Sequence, residues 1–190
     1  MMGATALAMT TERDVEIAAA IRDRTHHRAL ALMTRELGPA LGRFCAAILG
    51  DRAEAEEAAQ DALIEALRAM SGFRGESAVR TWLFAIARRI CFRRLRRRRR
   101  REALFHVVSA TELPSPDSPL DEAARTELYR RLQQALEALP FEDRELLALR
   151  YQADLTYEEA AEVCGISPDA ARKRASRAFA VLRDRLGGVP

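Results

Sequence analysis

The chain has 190 residues, of which 48% are hydrophobic. This is enough for one ordinary domain or two small ones and excludes wholesale disorder. No apolar run approaches the roughly 18 residues that a membrane span requires, and the apolar start lacks the basic region of a signal peptide. We therefore expect a cytoplasmic protein without membrane insertion, with Met1, Met2 and Met9 open as start sites. The three cysteines form no CxxC pair, which disfavours a zinc site or a disulfide framework.

The net charge is only +3, but the charges are distributed unevenly along the chain. Residues 71–101 contain twelve arginines and a single acid, Glu76. Residues 51–67 contain six acids and a single arginine, Arg52. This separation predicts two surfaces for two different partners: a basic surface that binds a polyanion and an acidic surface that docks on a protein.

Apolar residues recur at helical spacing nearly throughout, without strand-like alternation of useful length. A first helix is predicted from near Thr11. A second is predicted over residues 27–49, with a bend or interruption at Gly38-Pro39, and His26-His27 is interpreted as a polar turn between the two helices. The first helix is expected to bury one side, formed by Val15, Ile17, Ala18 and Ile21.

A third helix is predicted to begin at Asp51, because an aspartate after Gly50 can cap a helix and the acids that follow suit its first turns. It runs to about Met70. A loop at residues 71–77 follows, and the next helix extends from about Ala78 into the arginines.

Prolines and serines are concentrated in residues 106–120, which is typical of an extended, flexible linker. The predicted fold is all-α, with two small helical domains joined by this linker. The predicted boundaries are 11–101 for the first domain, 102–120 for the linker and 121–187 for the second domain.

The second domain is predicted to contain a helix-turn-helix. Thr156 and Glu159 have the spacing of a capping box, Gly165 suits the left-handed position that ends a helix, and Ser167-Pro168 can begin the next one. The basic residues of that next helix are Arg172, Lys173, Arg174 and Arg177. A short helix, a glycine turn and a basic second helix are typical of a major-groove reader. An antiparallel helical pair with a solvated basic face is the alternative.

Aromatic residues and arginines are interleaved from Phe73 to Arg89. Aromatic rings can stack on bases that have left the duplex, while neighbouring cations hold the backbone. Two interpretations of Trp82 stay open, base stacking and core packing. Six adjacent charges cannot all be buried, so residues 96–101 are predicted to meet phosphate without reading sequence.

Several segments together resemble a known family. They are residues 50–57, Gln60-Asp61, the FRGES string at 73–77, the TWL string at 81–83, the IAR string at 86–88, and residues 136–140 followed by the helix-turn-helix at 156–182. The first five resemble the second conserved region of bacterial extracytoplasmic-function (ECF) sigma factors, and the rest resembles the fourth region.

This resemblance implies a protein that binds core RNA polymerase and directs it to promoter DNA, without catalytic activity and without a cofactor or metal. The N-terminal domain would recognise and help melt the −10 element, and the C-terminal domain would read the −35 element. The implied contacts on the polymerase are the β′ coiled coil and the β flap. An anti-sigma factor is implied as a further partner.

The resemblance also assigns roles to individual residues. For docking on the polymerase it indicates Glu57, Gln60 and Asp61. For the −10 element it indicates Phe73, Arg74, Ser77, Ala78, Trp82, Arg88, Arg89, Arg93 and Arg94. For the −35 element it indicates Arg172, Lys173, Ser176 and Arg177. Departures from the family pattern at Arg89, Arg93, residues 168–171 and Ser176 leave the promoter sequence open.

Two other classes of protein explain less of the sequence. A stand-alone helix-turn-helix regulator leaves the acidic helix and the FRGES loop unexplained, and no effector or dimerisation domain is evident. A nucleic-acid-processing enzyme is disfavoured, because the acids of residues 51–67 lack metal-ligand spacing and the three histidines form no recognisable constellation. No glycine loop suited to phosphate is present either.

Overall fold

The computed structural model describes residues 12–105, 130–132, 134–136 and 138–187, and within these residues it contains helices and turns but no strand. The N-terminal half holds four helices, which are α1 (Glu12–Arg22), α2 (His26–Leu49), α3 (Arg52–Ala69) and α4 (Val79–Phe105). A single 3-10 turn, Met70–Gly72, follows α3. The predicted all-α fold is confirmed.

The C-terminal half holds the helices α5 (Phe141–Tyr151), α6 (Tyr157–Cys164) and α7 (Pro168–Leu186). Residues 130–132 and 134–136 before them are also helical. The predicted linker lies outside the described residues from position 106 onward.

Helix α2 is not interrupted at Gly38-Pro39, so the interruption that was one of the two predicted alternatives is wrong. It runs without interruption from His26 to Leu49 with Pro39 inside it. Leu37 and Leu41, on either side of the proline, are buried at 3% and 0% exposure. Their packing outweighs the loss of one backbone hydrogen bond at the proline. The helix ends at Gly50, whose φ of 73° is the left-handed conformation that glycine adopts easily.

Two predictions about the first helices are wrong. His26 and His27 belong to the first turn of α2, and the turn between the helices lies before them, where Thr25 Oγ1 donates a hydrogen bond to the carbonyl oxygen of Ala20 at 2.9 Å. Val15 is 54% exposed, whereas Ile17 is fully buried. Two residues correspond to about 200° of helical rotation, so Val15 and Ile17 point to nearly opposite sides of α1.

Helix α2 is the centre of the N-terminal half, because it packs against α1, α3 and α4. Phe44 of α2 and Phe84 of α4 meet edge to face in this core, with ring centroids 5.5 Å apart. The C-terminal helices rest on the same framework: α5 packs against α2, and α6 packs against α4. The helix-turn-helix therefore lies directly on the helix that carries most of the arginines.

The local signals of the predicted helix-turn-helix are confirmed. Thr156 and Glu159 form a reciprocal capping box at the start of α6. In the N-terminal half, the predicted cap of α3 is also confirmed, because Asp51 accepts the N–H of Glu54 at 2.7 Å. Gly165 has a φ of 68°, and Ser167 Oγ accepts the N–H of Ala170 at the start of α7. The face that α7 buries consists of Ala171, Ala175, Ala178 and Leu182.

Candidate nucleic-acid interface

The candidate recognition helix, α7, exposes the residues predicted to read DNA. They are Arg172, Lys173, Ser176 and Arg177. Arg172 already has acidic partners within the domain: its guanidinium pairs with Asp169 at 3.1 Å and also contacts Glu158 on α6 closely. For Lys173 and Arg177, the described part of the chain shows no ion pair. These two cations are therefore the ones most available to an anionic ligand.

The predicted −10 loop brings two aromatic rings together. The ring centroids of Phe73 and Trp82 lie 4.9 Å apart, and both side chains are half-buried against the core. Trp82 thus packs on the core while part of it stays exposed, so both interpretations of this residue remain open. Ser77 lies near Glu162 on α6, where it lowers the pKa of that carboxyl against the larger opposite effect of burial, so the loop approaches the helix-turn-helix. Arg74 extends outward with 82% of its side chain exposed.

An arginine-lined groove of about 710 Å³ lies between α4 and α6. The arginines that line it are Arg88, Arg89, Arg93, Arg96, Arg97 and Arg100. Arg89, Arg93, Arg96 and Arg100 recur at intervals of three or four residues along one face of α4, and Arg88 and Arg97 are each adjacent to one of them in sequence. Val163 of α6 lines the same groove. A concave, strongly basic surface of this kind suits an anionic backbone.

Arg88 is already engaged by an acid of the other half of the chain. Its Nε lies 2.5 Å from Glu145 Oε1, and its Nη2 lies 3.3 Å from Oε2. Glu145 belongs to α5 and is 1% exposed. Burial raises the pKa of Glu145, while Arg88 opposes that effect. The carboxylate therefore takes the place beside Arg88 that a phosphate would need.

Other contacts between the two halves surround this ion pair. The rings of Phe92 on α4 and Phe141 on α5 meet edge to face at 4.8 Å. Arg43 donates a hydrogen bond to the carbonyl oxygen of Gln152, and Arg80 donates one to that of Asp154. The C-terminal half, mainly through α5, thus covers part of the α4 face predicted to bind the −10 element.

Glu145 was not among the residues predicted from the sequence. Its one local signal is that it directly precedes the apolar run Leu146–Leu149, where a charged residue needs a partner once it is buried. The sequence gives no direct sign that this partner is Arg88, 57 positions earlier.

The predicted docking acids also have arginine partners. Arg94 bonds Glu57 Oε2 at 3.0 Å and Asp61 Oδ2 at 2.6 Å, and Arg89 pairs closely with Glu65. The predicted acidic and basic segments therefore lie side by side on α3 and α4 and share these ion pairs. Gln60, the third predicted docking residue, is exposed on α3.

The cysteines are poorly suited to chemistry. Cys45 and Cys91 are fully buried, and a hydrogen bond with Cys45, followed by burial, raises the pKa of Cys91. Burial raises the pKa of Cys164 to about 12, with a further contribution from Glu145. The thiols of Cys91 and Cys164 therefore stay protonated at neutral pH and are weak nucleophiles. Among the described residues there is no group of three potential metal ligands, and no helix long and apolar enough to cross a membrane.

Comparisons with known proteins identify the family. Residues 33–101 match the model of Sigma-70 region 2, and residues 129–182 match that of Sigma-70, region 4. The probable RNA polymerase sigma factor RfaY of Xanthomonas campestris pv. campestris is 33% identical over 144 residues. That alignment covers 74% of this chain and 36% of RfaY, so the chain spans about a third of this relative's length.

Two further similarities extend over nearly whole chains. The RNA polymerase sigma-H factor of Pseudomonas aeruginosa is 30% identical over 178 residues, which cover 90% of this chain and 92% of that factor. The sigma factor RpoE of Bartonella quintana, solved in complex with the anti-sigma factor NepR, is 27% identical. It superposes with a TM-score of 0.68 over 83% of this chain and 96% of RpoE. The chain belongs to the sigma-70 family of RNA polymerase sigma factors, and within it to the ECF group.

Replacing Glu145 with glutamine tests how burial affects its carboxylate. A pKa raised in the folded state means that the folded protein binds more protons than the unfolded one, so this group adds stability as the pH falls toward its raised pKa. We expect the Tm of the wild type to rise relative to that of Glu145→Gln between about pH 8 and about pH 5. Glu56→Gln, at an exposed residue of α3, is the control. A Tm difference that is constant or reversed contradicts the assignment.

Proposed function

We propose that this chain gives core RNA polymerase its promoter specificity by contacting promoter DNA at two points. The domain at 11–101 binds and helps to melt the −10 element, the domain at 121–187 reads the −35 element, and residues 102–120 link them. One observation supports this most: a single chain exposes a basic recognition helix, α7, and also carries a separate arginine-lined groove on α4. The protein acts in the cytoplasm as an initiation factor, and the polymerase carries out the chemistry.

The −35 contact is made by the exposed face of α7. Lys173 and Arg177 reach base edges or phosphates. At a base edge, an arginine such as Arg177 can bond a guanine with two parallel hydrogen bonds. Before DNA binds, Arg172 is paired with Glu158 and Asp169. To contact DNA, its guanidinium group must leave these two carboxylates. Ser176 lies on the same exposed face.

The −10 contact combines the loop before α4 with the groove along it. Phe73 and Trp82 form an aromatic surface beside the exposed Arg74, which suits a base that has left the duplex. Arg93, Arg96, Arg97 and Arg100, which line the groove, hold the backbone. Arg88 joins them only after its pair with Glu145 breaks, so its contact with DNA requires α5 to move away from α4.

Docking on the polymerase uses α3, where Glu57, Gln60 and Asp61 are all exposed and face the β′ coiled coil. The domain at 121–187 meets the β flap. An anti-sigma factor is a further partner, by analogy with the RpoE relative that was solved with NepR. The alternative of a stand-alone helix-turn-helix regulator is not favoured, because it would give residues 33–101, which match Sigma-70 region 2, no role.

The proposal predicts that the purified chain binds core polymerase and programs it for transcription. We expect co-elution with core enzyme in gel filtration at moderate salt, and transcripts from a promoter mapped in cells that overexpress the protein. Core enzyme alone, and core enzyme with the chain on a template that lacks this promoter, are the controls. Binding to the promoter by the chain without any association with core enzyme would instead indicate the stand-alone regulator.

On α7, Arg177→Ala should weaken binding of the reconstituted holoenzyme to the −35 element by about 1–3 kcal/mol, the usual range for a good bidentate base contact. Arg183→Ala, at an exposed position in the last turns of the same helix, is the matched control and should change binding little. The measurement is a promoter titration with wild-type and scrambled −35 sequences. Equal losses on both sequences would show that Arg177 binds phosphate and does not read bases.

A further inference from the structure

Four acids of α3 and three arginines of α4 form a ladder between the two neighbouring helices. From one end to the other, Arg98 pairs with Glu54 at 3.5 Å, Arg94 pairs with both Glu57 and Asp61, and Arg89 pairs with Glu65. The numbers rise along α3 as they fall along α4, so the helices run antiparallel. The proposed docking acids are thus part of a regular arrangement that includes α4.

Arg94 occupies the middle of this ladder and lies beneath the acids that it binds. Its side chain is 20% exposed, while those of Glu57 and Asp61 are 69% and 49% exposed. One guanidinium group bonds both carboxylates through separate nitrogens, Nη1 and Nη2. Glu57 and Asp61 are one helical turn apart and repel each other, so a cation between them holds both in place. Each carboxylate bonds Arg94 through one oxygen, Oε2 of Glu57 and Oδ2 of Asp61.

Arg94 also lies on a different side of α4 from the arginines of the groove. Arg93, its neighbour, is exposed and lines that groove. One residue corresponds to about 100° of rotation around a helix. Arg94 is directed toward α3 and is covered there, so a DNA backbone that follows the groove does not reach it.

We propose that Arg94 is a positioning residue for polymerase docking, which presents Glu57 and Asp61 in a fixed geometry and does not contact promoter DNA. The inference rests on the proposed docking role of these two acids. Side chains already held in place lose less rotamer freedom on binding, so the pre-formed pair of carboxylates favours association with a basic partner. This assignment replaces the role at the −10 element that the family resemblance gives to Arg94.

Whether removal of Arg94 weakens or strengthens core binding distinguishes a positioning role from a simple effect of net charge. If only net charge mattered, removing a cation from an acid-rich surface would strengthen its attraction to a basic partner. If Arg94 positions the acids, removing it releases two mutually repelling side chains and weakens binding. Arg94→Lys adds a second distinction, because lysine keeps the charge but lacks the planar fork that bonds two carboxylates.

The experiment titrates fluorescently labelled full-length chain with core polymerase. We expect Arg94→Ala to weaken binding about fivefold, because it removes two ion pairs that are partly exposed to solvent. Arg94→Lys should show much of the same loss. The same proteins are titrated with a labelled duplex of about 30 base pairs over a range of salt. Arg93→Ala should lower the salt slope by about one, whereas Arg94→Ala should leave it unchanged.

The double variant Glu57→Gln/Asp61→Asn completes the test. It should weaken core binding, and adding Arg94→Ala to it should cause little further loss, because both changes remove the same arrangement. Tighter or unchanged core binding by Arg94→Ala, or a lower salt slope of DNA binding by the same variant, overturns the inference. The docking assignment of Glu57 and Asp61 is not affected by either result. If the double variant itself binds core polymerase normally, the docking assignment fails and the inference fails with it. Circular dichroism of each variant checks that α3 and α4 remain folded.

Discussion

Mutual repulsion among the arginines of α4 is the constraint on which much of this structure depends. Like charges one turn apart destabilise a helix, and residues 88–101 carry ten arginines without an acid. In the fold, acidic side chains on two sides of α4 offset this repulsion. Acids of α3 pair with Arg89, Arg94 and Arg98 along one side, and Glu145 of α5 pairs with Arg88. The exposed arginines that remain, Arg93, Arg96, Arg97 and Arg100, line the groove together with Arg88 and Arg89, and a nucleic-acid backbone can supply further negative charge there.

This division of α4 explains how one small chain can serve two macromolecular partners. In the proposed function, the side toward α3 supports the acidic surface that docks on the polymerase, and the opposite side forms the basic surface that binds DNA. The C-terminal half rests across the basic side through Glu145 and Phe141 of α5, while its recognition residues stay exposed on α7. Because the same arginine cannot bond a carboxylate and a phosphate fully at once, contact between the two halves and contact with the −10 DNA compete at Arg88.

Features set by neighbouring residues could be predicted from the sequence, and features set by tertiary contacts could not. The capping box of Thr156, the glycine turn and the start of α3 at Asp51 depend on residues within four positions, so their patterns are visible in the chain. The uninterrupted α2 depends on packing that outweighs Pro39. The different roles of Arg93 and Arg94 depend on how α4 is rotated against α3, and composition carries no information about that rotation.

A reconstruction of the chain with core polymerase and promoter DNA by electron cryomicroscopy tests the division of α4 most directly. The account predicts that Arg93 lies within hydrogen-bonding distance of a DNA phosphate, that Arg94 remains bonded to Glu57 and Asp61 beside the polymerase, and that Arg88 has left Glu145. A map in which Arg94 reaches the DNA while Glu57 and Asp61 are turned away from the polymerase would contradict it.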